Sequence, residues 1–77
     1  MSEPIDLELD TSGLNCPLPI LKTKKALAGM ASGQRIHVVA TDPGSLPDFR
    51  TFSEQTGFPL LECAERDGAF HFVLEKT

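Results

Sequence analysis

Along the chain the spacing of apolar residues switches between two positions and three to four, and the switches mark out successive elements. Ile5, Leu7 and Leu9 alternate with Asp6, Glu8 and Asp10, the period of a half-buried strand that ends at Asp10. From Pro17 to Ala31 the period lengthens, so that Ile20, Thr23, Ala26, Leu27, Met30 and Ala31 share one helical face. Ser32-Gly33 closes that helix, with Gly33 free to take a left-handed cap. Gln34 to Thr41 alternates again, with Ile36, Val38 and Ala40 facing in and His37, Val39 and Thr41 facing out. Ser45-Leu46-Pro47-Asp48 resembles a capping box with Asp in place of Glu. It opens a second helix to about Thr56, with Leu46, Phe49 and Phe52 as its stripe and Gly57 as its cap. Phe58 to Glu65 reads as a third strand with Leu61 and Cys63 on one face. Arg66-Asp67-Gly68-Ala69 is a hairpin turn, since Asp-Gly suits positive φ angles. Ala69 to Lys76 is the last strand, with Phe70, Phe72 and Leu74 inward.

The order is βαβαββ. A strand–helix–strand unit crosses over right-handed and leaves its strands parallel, whereas the two hairpin strands must pair antiparallel. The expected fold is an α/β two-layer sandwich, a four-stranded mixed sheet with two helices on one face. At 77 residues the chain is expected to form a single domain (1–77) around one modest core.

Composition narrows the function. Forty per cent hydrophobic and 23% charged residues describe an ordinary globular chain. A net charge of −4 argues against direct nucleic-acid binding, which needs clustered cations to displace counterions. Two cysteines do not make a disulfide framework. Met1-Ser2-Glu3-Pro4 has no signal-peptide character, and no apolar run is long enough to span a membrane. The expectation is a cytoplasmic protein with a free thiol and no membrane contact.

The candidate chemistry centres on Asp10-Thr11-Ser12-Gly13-Leu14-Asn15-Cys16-Pro17-Leu18-Pro19. Pro17 suits the first helical position, which puts Cys16 at or next to the N-cap. There, unpaired N–H groups and the positive end of the helix dipole favour the thiolate. Pro19 removes another donor from the first turn, leaving Leu18 and Ile20 with the nearest free N–H groups. In a parallel pair Asp42 ends its strand on the edge where Cys16 sits. Asp10 and Asp42 each read either as turn caps or as groups that tune the thiol or meet a partner. Lys22 and Lys25, with Leu21 between them in angle, are either a solvated face or a docking patch. Phe52 is core with a secondary reading as a contact residue.

Rival chemistries lack their parts. Cys63 sits mid-strand on a core face, where a thiol behaves as a small hydrophobe. His37 and His71 project from the sheet face opposite the helices, away from Cys16, so no cysteine–histidine dyad forms. They read as solvated strand residues. No metal-ligand spacing is present, and no cofactor is expected. What remains is thiol chemistry without a general base, in which an exposed, acidic sulfur can attack the terminal sulfur of a persulfide by the logic of thiol–disulfide exchange.

Gly13-Leu14-x-Cys16-Pro17-x-Pro19, preceded by Asp10, resembles the signature of the TusA/SirA-like sulfur-carrier family. The likeness runs from about Ile5 to Lys76 and takes in the lysine-rich first helix, Asp42-Pro43 and the Phe-bearing second helix. It implies a sulfurtransferase that carries sulfur as a persulfide on Cys16, with Gly13, Leu14, Pro17, Leu18 and Pro19 shaping the loop. It implies two protein partners, a donor such as a cysteine desulfurase or another persulfide donor, and an acceptor. The pathways implied are tRNA 2-thiolation, molybdenum-cofactor maturation or sulfur oxidation. Leu18 is apolar where some tRNA-pathway members carry an acid, which leaves the pathway open. The alternatives are a non-catalytic adaptor or regulatory module on the same fold and a redox sensor cycling through sulfenic acid.

Overall fold

The first alternating segment becomes β1 (Leu7–Thr11), an edge strand paired in parallel with β2 (Arg35–Ala40). The structure is a computed structural model describing residues 5–15 and 17–77. The expectations made for Met1–Pro4 and for Cys16 therefore lie outside the described residues. β1 runs one residue beyond Asp10, and Thr11 is fully buried. Its hydroxyl donates to the Val39 carbonyl at 2.6 Å, so the polar atom enters the core already satisfied. Leu7, at the open end of the edge, stays 38% exposed.

The helix that follows, α1, spans Leu18–Ala28 and is shorter at both ends than its apolar period. Pro17 is the N-cap rather than the first helical residue. At the other end Gly29 N–H bonds to the Ala26 carbonyl and Met30 N–H to that of Leu27, a tightened last turn that stops the helix. Gly33 is left-handed as expected, but in the following turn rather than as the helix cap, and Ala31 is exposed. Thr23 and Leu27 are buried, while Ile20, Ala26 and Met30 pack against the core from its margin. The carbonyl end of α1 is capped from a distance: Lys76 Nζ donates to Leu27 and Met30 oxygens at 2.6 and 3.2 Å.

The second helix, α2, spans Ser45–Thr56 and ends at left-handed Gly57. The expected capping box is absent. Gly44 is the N-cap, and Ser45 is the first helical residue, buried with an unpartnered hydroxyl oxygen. One residue of extra helix turns Ser45 inward, away from the amides it would have capped.

β3 (Leu60–Arg66) and β4 (Ala69–Glu75) form the hairpin, with both Asp67 and Gly68 at positive φ (53° and 79°). The sheet order is β1-β2-β4-β3, and β4 runs antiparallel to both neighbours. Leu61 and Cys63 do not share a face. The β3–β4 register shifts between Leu60 and Glu62, so Leu60 and Cys63 pack on the core and Leu61 is 44% exposed. A bulge of this kind reverses the side-chain alternation on one side of itself.

Both helices cover one sheet face, the two-layer α/β arrangement the pattern implies. Between the layers lie Ile36, Val38 and Ala40 of β2, Phe70, Phe72 and Leu74 of β4, Leu27 of α1, and Phe49 and Phe52 of α2. The Phe49 and Phe72 rings stack at 4.2 Å. The crossover through α1 thus brings the end of β1, the start of α1 and the end of β2 to one edge.

Candidate functional site

At that edge Thr11 lies opposite Ala40, so the turn leaving β1 runs beside the end of β2. Its backbone donors are accounted for in succession. Ser12 N–H donates to Asp10 Oδ1 (2.9 Å), Gly13 N–H to Thr41 Oγ1 (2.8 Å) and Leu14 N–H to the Thr11 carbonyl (3.2 Å). The hydrogen bonds from Ser12 hold the exposed Asp10 carboxyl below its ordinary value. Gly13 has φ of +82°, with open space where a side chain would be, so backbone angle rather than room requires glycine there.

The α1 side of the turn departs from expectation in one respect. Leu18 N–H is not a free donor, because the Asn15 carbonyl accepts it at 2.8 Å. Leu21 N–H donates to the Pro17 carbonyl at 3.1 Å as the regular helix begins. Pro19 is buried and anchors the first turn, whereas Leu18 is 44% exposed. Asn15 and Pro17, the described neighbours of Cys16, are both exposed. Leu14 is half-buried between them and the strand end.

The candidate docking residues divide. Leu21, Lys22 and Lys25 are all exposed on α1, which carries three lysines and no acidic residue. Asp10 and Asp42 lie at the ends of the two parallel strands. Asp42 is half-buried, and its backbone carbonyl accepts the Ser45 N–H at 2.9 Å in the turn that leads into α2. Phe52 is buried in the core, yet its edge also lines an open groove of about 270 Å³ between α1 and α2. That groove starts at Pro17 and includes Ile20, Lys24 and Asp48. Of the α1 lysines, Lys24 is the one that lines it. Thr41 and Lys24 are the residues the sequence reading missed. The parallel pairing of β1 with β2 was the available signal for Thr41; nothing in the spacing singled out Lys24.

His37 and His71 are neighbours on the open sheet face, half-buried rather than solvated. His37 Nε2 lies 3.0 Å from His71 Nδ1, and the rings are within 9° of parallel. A centroid separation of 5.2 Å leaves the facing nitrogens nearly on the line between ring centres, so the rings meet edge to edge. Glu8 Oε1 lies 3.3 Å from His37 Nδ1 and favours a proton there. His37 Nε2 then accepts from His71 Nδ1–H. Burial, with Arg66 and His37 adding repulsion, pushes the His71 imidazole below its ordinary value. Among the described residues no three His, Cys, Asp or Glu side chains gather as a metal site. Cys63 is half-buried and unbridged. No described helix is long and apolar enough to cross a membrane.

Known proteins resemble this chain in sequence and fold. Residues 7–76 match the family described as Sulfurtransferase TusA. The chain is 60% identical over 72 residues to the sulfur carrier protein TusA of Allochromatium vinosum, covering 94% of this chain and 95% of that one. It is 52% identical over 67 residues to a putative sulfur carrier protein of Neisseria meningitidis serogroup A, covering 87% and 90%. The crystal structure of a SirA-like protein from Desulfitobacterium hafniense superposes with a TM-score of 0.81 at 27% identity, covering 90% of this chain and 95% of that one. The signature around Cys16, the βαβαββ order and these likenesses agree: the chain belongs to the TusA sulfurtransferase family.

Proposed function

We propose that the protein is a sulfur carrier that holds sulfane sulfur as a persulfide on Cys16, its 77 residues acting as one carrier domain. The observation that carries this reading is the Gly13-Leu14-x-Cys16-Pro17-x-Pro19 signature on a turn whose amides are tethered at the strand ends and whose Asn15 carbonyl accepts the Leu18 N–H of α1. The Cys16 thiolate attacks the outer sulfur of a donor persulfide. The S–S bond of the donor breaks, its inner sulfur leaves as a thiolate, and Cys16–S–SH forms. An acceptor thiolate then repeats the displacement on the outer sulfur of Cys16 and restores the Cys16 thiolate. No external oxidant is consumed, because each step exchanges one S–S bond for another. The start of α1 favours the anionic forms of both thiol and persulfide.

The donor is a cysteine desulfurase or another persulfide-bearing protein, and the acceptor is a second protein of a relay serving tRNA thiolation, molybdenum-cofactor maturation or sulfur oxidation. Both dock in turn on the surface around Cys16. Leu21, Lys22 and Lys25 of α1, with Asp10, Asp42 and the edge of Phe52, form that surface. The relay is cytoplasmic and needs neither nucleic acid nor a membrane.

Intact mass after mixing the reduced protein with a desulfurase and cysteine tests the reading. One added sulfur, about 32 Da, is expected in wild type and Cys63→Ser and not in Cys16→Ser. No adduct in any of the three, even with inorganic polysulfide, would move the assignment to a non-catalytic adaptor.

A further inference from the structure

We infer that Thr41 is a positioning residue for the Cys16 thiol, an inference that rests on the carrier reading above. Three successive amides lead from β1 towards Cys16, and their acceptors differ in kind. Ser12 N–H is held by Asp10 two residues back, and Leu14 N–H by Thr11 three residues back. Those bonds shape the turn internally but do not fix where the turn stands. Gly13 N–H is held by Thr41 Oγ1, 28 residues away and just past the end of β2. Among the described residues, this hydrogen bond ties Ser12–Asn15 to the end of β2.

The rest of the edge makes that tie directional. Thr11 is locked to β2 by its own hydroxyl bond to the Val39 carbonyl, so the turn leaves from a fixed point. Gly13, at φ +82°, then redirects the chain beyond that bond. Beyond it, Leu18 N–H on Asn15 and buried Pro19 fix the other end of the turn to α1. Thr41 therefore sets how the described residues Gly13–Asn15, which lead into Cys16, stand between the end of β2 and α1. Its side chain acts through one oxygen and lies at the exposed end of the strand, where it fills no core space. Hydroxyl chemistry, rather than volume, is what the position supplies. Serine keeps the acceptor; valine keeps the shape and loses it.

The test uses Thr41→Val and Thr41→Ser in a Cys63→Ser background, where Cys16 is the remaining thiol. The rate of alkylation by iodoacetamide against pH reports the thiolate fraction. The expected result is a midpoint in Thr41→Val displaced by about half a pH unit or more towards the ~8.5 of an unperturbed cysteine. Thr41→Ser should match the parent, Gly13 amide exchange should accelerate in the valine variant alone, and all three proteins should melt within a few degrees of one another. An alkylation profile in Thr41→Val that overlays the parent overturns the inference. So does a serine variant as displaced as the valine one, since that would make the position structural. If the parent protein takes up no sulfur from a desulfurase or polysulfide, the carrier reading fails instead, and the alkylation profiles still decide the role of Thr41.

Discussion

His71 shows how a single side chain can set a pH dependence far from the candidate site. Burial and the nearby Arg66 and His37 charges disfavour its protonated form, with Glu62 and Asp67 opposing them weakly. Its folded pKa thus lies below the ordinary 6.5, so around that pH the unfolded chain binds more protons than the folded one. The neutral-His71 contribution is fully present above pH 6.5. It is lost as pH falls through 6.5 towards the lower folded value. Urea unfolding from pH 5 to 8 should show wild type losing more stability on acidification than His71→Gln, and parallel curves would refute this account. The edge-to-edge contact with His37 gives the same direction, since two imidazoliums would face two N–H groups across 3.0 Å. Sequence alternation put both histidines on the open face. The half-buried contact came from strand order, which sets β4 beside β2.

Elements ended where tertiary contacts, rather than local period, stopped them. The apolar spacing of α1 continues through Met30 and Ala31, yet the helix closes at Ala28 because Lys76 and the tightened turn at Gly29 take up its last carbonyls. The Lys76 ammonium also lies over Phe58, with Nζ 5.9 Å from the ring centre. Lys76→Met keeps the stem and removes the charge, and should cost about 1 kcal/mol. A melting temperature equal to wild type would show that water caps the helix as well. The bulge at Leu61 makes the same point for β3: it reassigns a hydrophobic residue to the surface that period-two reading had placed inward. The hairpin was legible because Asp67 and Gly68 carry the turn in their own backbone preferences.

For the whole molecule, stability rests on one layer of contacts between sheet and helices, and Phe72 is at its centre. It is fully buried on central strand β4 and stacks on Phe49. Phe72→Ala should cost about 3–5 kcal/mol, a large share of the roughly 4–12 kcal/mol expected for a chain this long. A urea midpoint close to wild type would contradict that packing account. Much of this architecture follows from the sequence by itself. Period, turn chemistry and the crossover rule act over a few residues, and they determined the element order, the parallel first pair, the hairpin and the Gly-Leu-x-Cys-Pro-x-Pro signature. Other features needed the folded chain: Thr11 as a buried strand end, Thr41 as the acceptor for Gly13, Lys24 on the groove and Ser45 turned inward. Each depends on which groups meet across a distance of tens of residues, and only the docking of α1 and α2 on an ordered sheet sets those distances.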